Sequence, residues 1–133
     1  MKMTGSKCLL DTSVIIHSFK NNKQVRDRLE TFDELYVNDI AIGELYHGAY
    51  SSLDPQKHIN QVQLFLSSCF VIGVDTYTAT IYGRLKTDLK RRGKPIPEND
   101  IWIAASSLAY NLPLFTTDKH FELLELELIP FSQ

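Results

Sequence analysis

The chain contains few of the residues that define several classes of protein. It has two cysteines in 133 residues, Cys8 and Cys69, in separate apolar runs and without the spacing of a metal site. A disulfide scaffold and a zinc ligand set are therefore not predicted. No apolar stretch approaches the roughly 20 residues of a membrane span. The N-terminal segment lacks the apolar core and cleavage site of a signal peptide. We therefore expect a cytoplasmic protein with reduced thiols and no contact with a membrane.

An excess of charge of one sign is also lacking. The formal net charge is −2, which by itself argues against a nucleic-acid partner. The basic residues are nevertheless concentrated in one segment between positions 84 and 94. Such a run is typical either of a phosphate-binding surface or of a solvated helix face. The run consists of Arg84, Lys86, Lys90, Arg91, Arg92 and Lys94.

The chain does contain an alternation of two patterns. Short apolar runs typical of buried strands are separated by segments whose apolar residues recur at helical spacing. At 133 residues with 44% hydrophobic content, we expect a single domain over residues 1–133. The alternation predicts a three-layer α/β/α fold with a mostly parallel central sheet of four to five strands. The predicted strands span residues 7–10, 35–37, 69–74, 114–115 and, at an edge, 126–129.

Helix boundaries are predicted from capping residues. We expect Thr12 or Ser13 to cap a first helix over residues 14–19, and Asp39 to cap a helix that begins at position 40. A long helix should begin near Asp75 and end at about position 92, where Gly93 stops it. Two prolines between positions 93 and 97 make a constrained loop, and a further helix follows from position 101.

Four acidic residues stand where apolar strand-like runs meet helical segments. Asp11 and Asp118 follow predicted strands, and Glu44 and Asp100 come early in predicted helices. All four should therefore converge at the carboxyl edge of the sheet. Two unit charges 4 Å apart repel by roughly 4 kcal/mol at an effective dielectric constant of 20, so a divalent cation is the obvious compensation. An all-oxygen site favours Mg²⁺, with Mn²⁺ as a substitute, over zinc.

Each carboxylate also has a simpler interpretation. Asp11, Asp100 and Asp118 are each suited to cap a helix, and Glu44 is suited to the positive end of a helix dipole. A receiver-like Mg²⁺-binding signalling domain is another possibility, although such domains usually carry an acidic pair after the first strand. Position 13 is serine, which also disfavours a phosphatase with an aspartate nucleophile. Spacing alone leaves these alternatives open.

Four segments in order carry a resemblance to a known family. LLDTSVII, IAIGELYHGA, IPENDIWIAA and LFTTDKHFE resemble the signature blocks of the PIN domain, and the similarity covers essentially the whole chain. Within that family the chain most resembles the VapC-like ribonuclease toxins. The resemblance implies an acidic Mg²⁺ site made of Asp11, Glu44, Asp100 and Asp118, with Asp11 and Asp100 as the most direct ligands.

The resemblance also implies roles for neighbouring residues. Three polar residues beside the carboxylates are expected to orient them or their waters: Thr12, Ser13 and Thr117. Asn99 is a supporting residue that contacts either substrate or water, with a role in the loop as the favoured alternative. Within the basic run, we expect Lys90, Arg91 and Arg92 to contact the RNA backbone. His120, two residues after Asp118, is placed either facing the cleft or at the surface, and a surface position is favoured over a catalytic one.

The implied activity is Mg²⁺-dependent endonucleolytic cleavage of RNA by the toxin of a toxin–antitoxin pair. The implied partners are an RNA substrate, a cognate antitoxin protein and a second copy of the chain in a homodimer. A PIN-like RNA-processing protein that is not a toxin remains the main alternative. Which RNA is cut is not predicted, because recognition of RNA depends on shape and exposed loops.

Overall fold

Strands and helices alternate through most of the chain. The computed structural model describes residues 6–131; residues 1–5, on which the expectation of no signal peptide partly depends, lie outside that range. Within it, none of the helices has both the length and the apolar character needed to cross a bilayer. The elements are β1 (Lys7–Leu10), α1 (Thr12–Phe19), α2 (Lys23–Leu29), β2 (Glu34–Asn38), α3 (Asp39–Tyr50), α4 (Pro55–Leu66), β3 (Phe70–Ile72), α5 (Thr76–Arg91), α6 (Glu98–Ala109), β4 (Leu114–Phe115) and a 3₁₀ turn, η1 (Lys119–Leu123).

The four strands form one parallel sheet in the order β3-β2-β1-β4. Successive side chains of a strand point to opposite faces, and Cys8, Leu9 and Leu10 of β1 are all 0% exposed. Helices therefore cover both faces of the sheet at its centre. The predicted three-layer α/β/α fold is confirmed, with four strands.

The fifth predicted strand, residues 126–129, is reduced to an edge contact. Leu128 forms a single parallel bridge with Leu114, and the backbone N–H of Ile129 donates to the carbonyl of Leu114 at 2.8 Å. Pairing stops there because β4 is only two residues long and Pro130 has no N–H to donate. The segment thus lies beside β4 without extending the sheet as a full strand.

Two predicted helix caps are wrong by one residue. Asp11, and not Thr12 or Ser13, caps α1, since its side chain accepts from the backbone N–H of Thr12. Asn38, and not Asp39, caps α3 through the N–H of Ala41. Consecutive polar residues are all competent caps, and the tertiary position of the preceding strand decides which one is used.

The α5–α6 hairpin brings the end of the basic run to the start of α6. Asp75 caps α5 through the N–H of Thr78, and Gly93 after its last turn has φ 65°, as the sequence predicts. Helix α6 begins at Glu98, three residues before its predicted start, because Pro97 with φ −54° is already compatible with a helix entry.

Helix α6 crosses the carboxyl edge of the sheet. Near its C-terminus, the hydroxyl of Tyr110 donates to the carbonyl of Gly73, just after β3. One turn earlier, Ser106 accepts from the side-chain amide of the buried Asn38 at the end of β2. The N-terminal turn of α6 is thereby directed toward the end of β1, where Asp11 lies.

Candidate metal centre at the carboxyl edge of the sheet

A cleft of about 520 Å³ opens beyond the carboxyl end of β1. Its walls come from the start of α1, the middle of α3, the start of α6 and the segment after β4. All four predicted acidic residues, Asp11, Glu44, Asp100 and Asp118, line this cleft. Of the four predicted supporting residues, Thr12, Ser13 and Asn99 line it as well.

Asp11 lies at the base of the cleft and is 1% exposed. Its Oδ1 accepts from the N–H of Thr12 at 2.9 Å, while its Oδ2 accepts from the hydroxyls of Ser13 at 2.8 Å and Thr116 at 2.7 Å. Burial raises the pKa of Asp11 above its ordinary value, and these hydrogen bonds partly oppose the rise. Asp11 is therefore both a helix cap and part of the cleft, so the capping interpretation does not exclude a functional one.

Thr116 holds the segment after β4 against Asp11. Its hydroxyl oxygen also accepts from the backbone N–H of Asp118 at 3.0 Å. Thr117 contacts this network through its backbone, whose N–H donates to the Ser13 hydroxyl at 3.2 Å. The sequence singled out Thr117 rather than Thr116. The alternation of an extended segment is the signal that finds Thr116, because residues two apart share a face and Asp118 follows it by two.

Glu44 and Asp118 complete the acidic lining. The hydroxyl of Thr12 donates to Glu44 Oε1 at 3.0 Å, which ties the second turn of α3 to the start of α1. Asp118 is exposed and immediately precedes η1. Its side chain makes no capping hydrogen bond, so helix capping does not account for its carboxylate.

Asp100 is the third residue of α6 and is also not a cap. Pro97 occupies the cap position, and the backbone N–H of Asp100 donates to the Pro97 carbonyl. Burial, followed by the negative charge of Asp11, raises the pKa of Asp100 from 3.8 to about 6; Glu44 adds to the rise and His120 opposes it. A carboxylate disfavoured by burial and by like charge is typical of a functional site.

His120 lines the cleft, which is the less favoured of the two positions that the sequence left open. Its Nε2 lies 2.6 Å from Asp100 Oδ2, and the side chain is 32% exposed. The contact spans 20 residues and arises because η1 folds back over the start of α6. The histidine follows Asp118 by two residues, the same spacing that relates Thr116 to Asp118.

The arrangement fits a divalent cation. Four carboxylates share one cleft, and the pKa values of Asp11 and Asp100 rise partly because of neighbouring negative charge. One ligand atom each from Asp100, Asp118 and His120 lie within 4.8 Å of one another. A cation placed among them would relieve the repulsion and would be supplied mainly with oxygen donors.

The predicted RNA-contacting residues lie at the C-terminal end of α5. Lys90 and Arg91 are exposed. Arg92 is engaged, because it pairs with Asp88 at 3.0 Å and donates to the carbonyl of Leu123. Lys86, earlier in the same run, pairs with Glu98 at 3.1 Å at the start of α6. The basic run is therefore partly structural, with Lys90 and Arg91 exposed near the loop that leads to the cleft.

A family model for the PIN domain matches residues 8–125, a range that includes every residue of the cleft. The chain belongs to the PIN domain family. This assignment replaces the receiver-like alternative.

Within that family the similar proteins are VapC ribonucleases. Ribonuclease VapC1 of Haemophilus influenzae is 32% identical over 112 residues, which cover 81% of this chain and 84% of that protein. The tRNA(fMet)-specific endonuclease VapC of Salmonella typhimurium is 31% identical over 93% of this chain and 92% of its own length. Among solved structures, DNA-bound VapBC from Salmonella typhimurium aligns with a TM-score of 0.87 and 29% identity, covering 94% of this chain and 97% of the other. The chain is thus VapC-like over most of its length.

Proposed function

We propose that this protein is a Mg²⁺-dependent endoribonuclease and the toxin of a VapBC-type toxin–antitoxin pair. The observation that carries the proposal is the convergence of four carboxylates in one open cleft, with the pKa of Asp100 raised to about 6. The relatives named ribonuclease or tRNA-specific endonuclease support RNA as the substrate.

Asp11, Asp100, Asp118 and Glu44 would hold the metal ion in this proposal. The chemistry supplied by bound Mg²⁺ is activation of water and stabilisation of negative charge on a phosphodiester. The hydroxyls of Ser13 and Thr116 keep Asp11 in one orientation, and Thr12 does the same for Glu44. Hydrolysis by this route needs no serine, cysteine or histidine nucleophile.

Lys90 and Arg91 are proposed to contact the RNA backbone. Both are exposed at the end of α5, and the loop that follows them leads to Pro97, Glu98 and Asn99 on the wall of the cleft. An RNA strand that crosses the acidic cleft would pass a region of negative charge. Positively charged side chains beside the cleft are therefore needed to hold its phosphates. Arg92 is a weaker candidate because its guanidinium already has protein partners.

The antitoxin is proposed to occupy an apolar groove of about 230 Å³ between α1, α3 and α4. Its lining includes Ile16, Leu45 and Val62, and it extends to Glu44 at the edge of the acidic cleft. Ile16 is 41% exposed and adds to the apolar surface of the groove that a partner would cover. A peptide in this groove would reach the cleft and restrict access to it. The homodimer and the cytoplasmic location also remain predictions.

Cleavage assays with matched variants test the nuclease assignment. The purified protein should cleave RNA with Mg²⁺ and not with EDTA. Asp11→Asn and Asp100→Asn should each lower the rate at least about 100-fold, since each removes a charge that holds the metal. Glu98→Gln is the control, because Glu98 lines the same cleft but pairs with Lys86; it should stay within a few-fold of the wild type. An unchanged rate in Asp100→Asn would sink the assignment.

The toxin role is tested separately in cells. Induction of the wild-type gene should arrest growth, Asp100→Asn should not, and co-expression of the protein encoded next to it should restore growth. RNA cleavage in vitro without growth arrest would favour the RNA-processing alternative. If the wild-type protein neither cleaves RNA nor arrests growth, the nuclease assignment itself is rejected.

A further inference from the structure

The cleft contains one imidazole, that of His120, beside carboxylates that offer oxygen ligands. His120 Nε2 lies 2.6 Å from Asp100 Oδ2, and an oxygen of Asp118 completes a group whose ligand atoms lie within 4.8 Å of one another. The preference for Mg²⁺ deduced from the sequence assumed that histidine is absent from the site. The structure removes that assumption.

These atoms are close enough together to share one ion. An octahedral site with metal–ligand distances of about 2.1 Å has neighbouring ligand atoms about 3.0 Å apart. The 2.6 Å between His120 Nε2 and Asp100 Oδ2 is a hydrogen-bond distance, about 0.4 Å shorter than that spacing. An ion between the two side chains would replace this hydrogen bond, and an oxygen of Asp118 lies within reach of the same ion.

Asp11 differs from these three residues in its hydrogen bonding. Its two carboxylate oxygens accept from Thr12, Ser13 and Thr116, so part of its capacity to bind a metal is already used. Asp100 faces His120 instead. The imidazole is therefore beside the carboxylate of Asp100, and both side chains face the cleft.

The imidazole is held on an anchored element. The 3₁₀ turn that carries it also carries Phe121, which is 0% exposed, and the two rings lie 5.0 Å apart. Arg92 donates to the carbonyl of Leu123 at the end of the same turn. The position of His120 is thus fixed by the core and by α5, as a metal ligand requires.

We propose that His120 is a nitrogen ligand of the metal ion and that it raises the affinity of the site for Mn²⁺ relative to Mg²⁺, which still supports the proposed cleavage. Mg²⁺ is a hard ion that takes oxygen ligands, whereas Mn²⁺, although oxygen also suits it, is a first-row transition ion and accepts an imidazole nitrogen more readily. Ligation uses the neutral ring with its proton on Nδ1, so that Nε2 offers its lone pair. The inference rests on the metal site of the proposed function, but it concerns which ion is held and does not depend on RNA cleavage.

Metal binding to the full chain without RNA tests the inference. Mn²⁺ binding is measured at pH 8 from the electron paramagnetic resonance signal of the free ion, and Mg²⁺ binding from its competition with Mn²⁺. His120→Gln keeps a side-chain donor for Asp100 but lacks the imidazole, and His120→Ala removes both. In each variant the ratio of the Mg²⁺ to the Mn²⁺ dissociation constant should fall about tenfold or more. His58→Gln on α4 is the control and should leave the ratio unchanged.

A spectroscopic readout distinguishes a ligand from a positioning residue. Electron spin-echo modulation from a coordinated ¹⁴N should be present in the Mn²⁺ complexes of the wild type and His58→Gln, and absent from that of His120→Gln. If His120 only orients Asp100, both ions lose affinity by the same factor in His120→Ala, His120→Gln restores both, and no ¹⁴N modulation is seen. That result, or unchanged affinities in both variants, overturns the inference. Neither result affects the nuclease assignment, which the Asp100→Asn cleavage assay decides.

Discussion

Asp100→Asn should stabilise the metal-free protein while it abolishes cleavage. The native structure raises the pKa of Asp100 from 3.8 to about 6, first through burial and then through the charge of Asp11. Between those two pH values the native state holds a proton that the unfolded chain has lost. The free energy of unfolding therefore falls as the pH rises through this window, and the fall is complete above about pH 6.

The size of the effect follows from the shift. Each pKa unit corresponds to 1.36 kcal/mol, so a shift of about two units gives an upper limit of about 3 kcal/mol at pH 8. The side chain is 12% exposed, so solvent screening reduces this only modestly. Asparagine removes the charge and can still accept a hydrogen bond from His120. We expect a gain of about 2 kcal/mol, or roughly 6–10 °C in the melting temperature of a domain of this size.

Thermal melts in EDTA, followed by circular dichroism and by the fluorescence of the single tryptophan, Trp102, measure this gain. It should be present at pH 8 and fall to about a third at pH 4.5, where Asp100 is protonated in the native wild type but mostly ionised in the unfolded chain. Added Mg²⁺ should raise the melting temperature of the wild type and have little effect on the variant. Glu98→Gln is the control and should show no gain. A variant no more stable than the wild type at pH 8, or equally stabilised at both pH values, would refute the reasoning.

Three further predictions concern residues around and beyond the cleft. Thr116→Val removes the hydroxyl bonded to Asp11 and to the N–H of Asp118, so kcat for RNA cleavage should fall about 10- to 100-fold with little change in KM. Neutralising Lys90 and Arg91 to Gln should weaken RNA binding and reduce the slope of log affinity against log salt by about 1.4. Burial raises the pKa of Cys8 to about 12 and of Cys69 to about 11, from 9.0, so iodoacetamide should alkylate the native thiols at least about 100-fold more slowly than exposed ones.

Each of these predictions has a control and a contradicting result. Thr117→Val should have a much smaller effect than Thr116→Val, and the reverse order would reject the assignment of the bridging hydroxyl. Lys57→Gln on α4 should leave the salt slope unchanged; a fall as large as that of the α5 variant would mean that the contacts are non-specific. Both cysteines should react rapidly, as measured by mass spectrometry, once urea unfolds the chain. Rapid alkylation of the native protein would contradict the burial argument.

Much of the fold could be predicted because its signals are local. In the strand Lys7–Leu10, the last three residues are apolar on both alternating faces, and this is the pattern of a central parallel strand. Gly93 and the two prolines after it likewise locate the end of α5 and the loop to α6. The prediction was wrong where neighbouring residues were equally suitable, as for Asn38 and Asp39 at the cap of α3. It also overestimated the extent of strand at residues 126–129, because β4, the strand beside this segment, offers only two residues for pairing.

The sequence by itself determined which chemical groups are available at the carboxyl edge. Asp11 and Asp118 follow strands, Glu44 and Asp100 lie in the first two turns of helices, and the parallel sheet then places all four in one cleft. This much is encoded in periodicity and in the order of the elements, which are properties of each segment alone.

Only the tertiary structure decided what each group contacts. Thr116 donates to Asp11 across 105 residues, and His120 meets Asp100 across 20. Periodicity tells which face a side chain occupies on its own segment, but not which side chain of another segment lies opposite it. Those contacts depend on how β4 pairs with β1 and how η1 folds over α6. The pairing and the fold-back introduce a bridging hydroxyl and an imidazole into a set of four carboxylates.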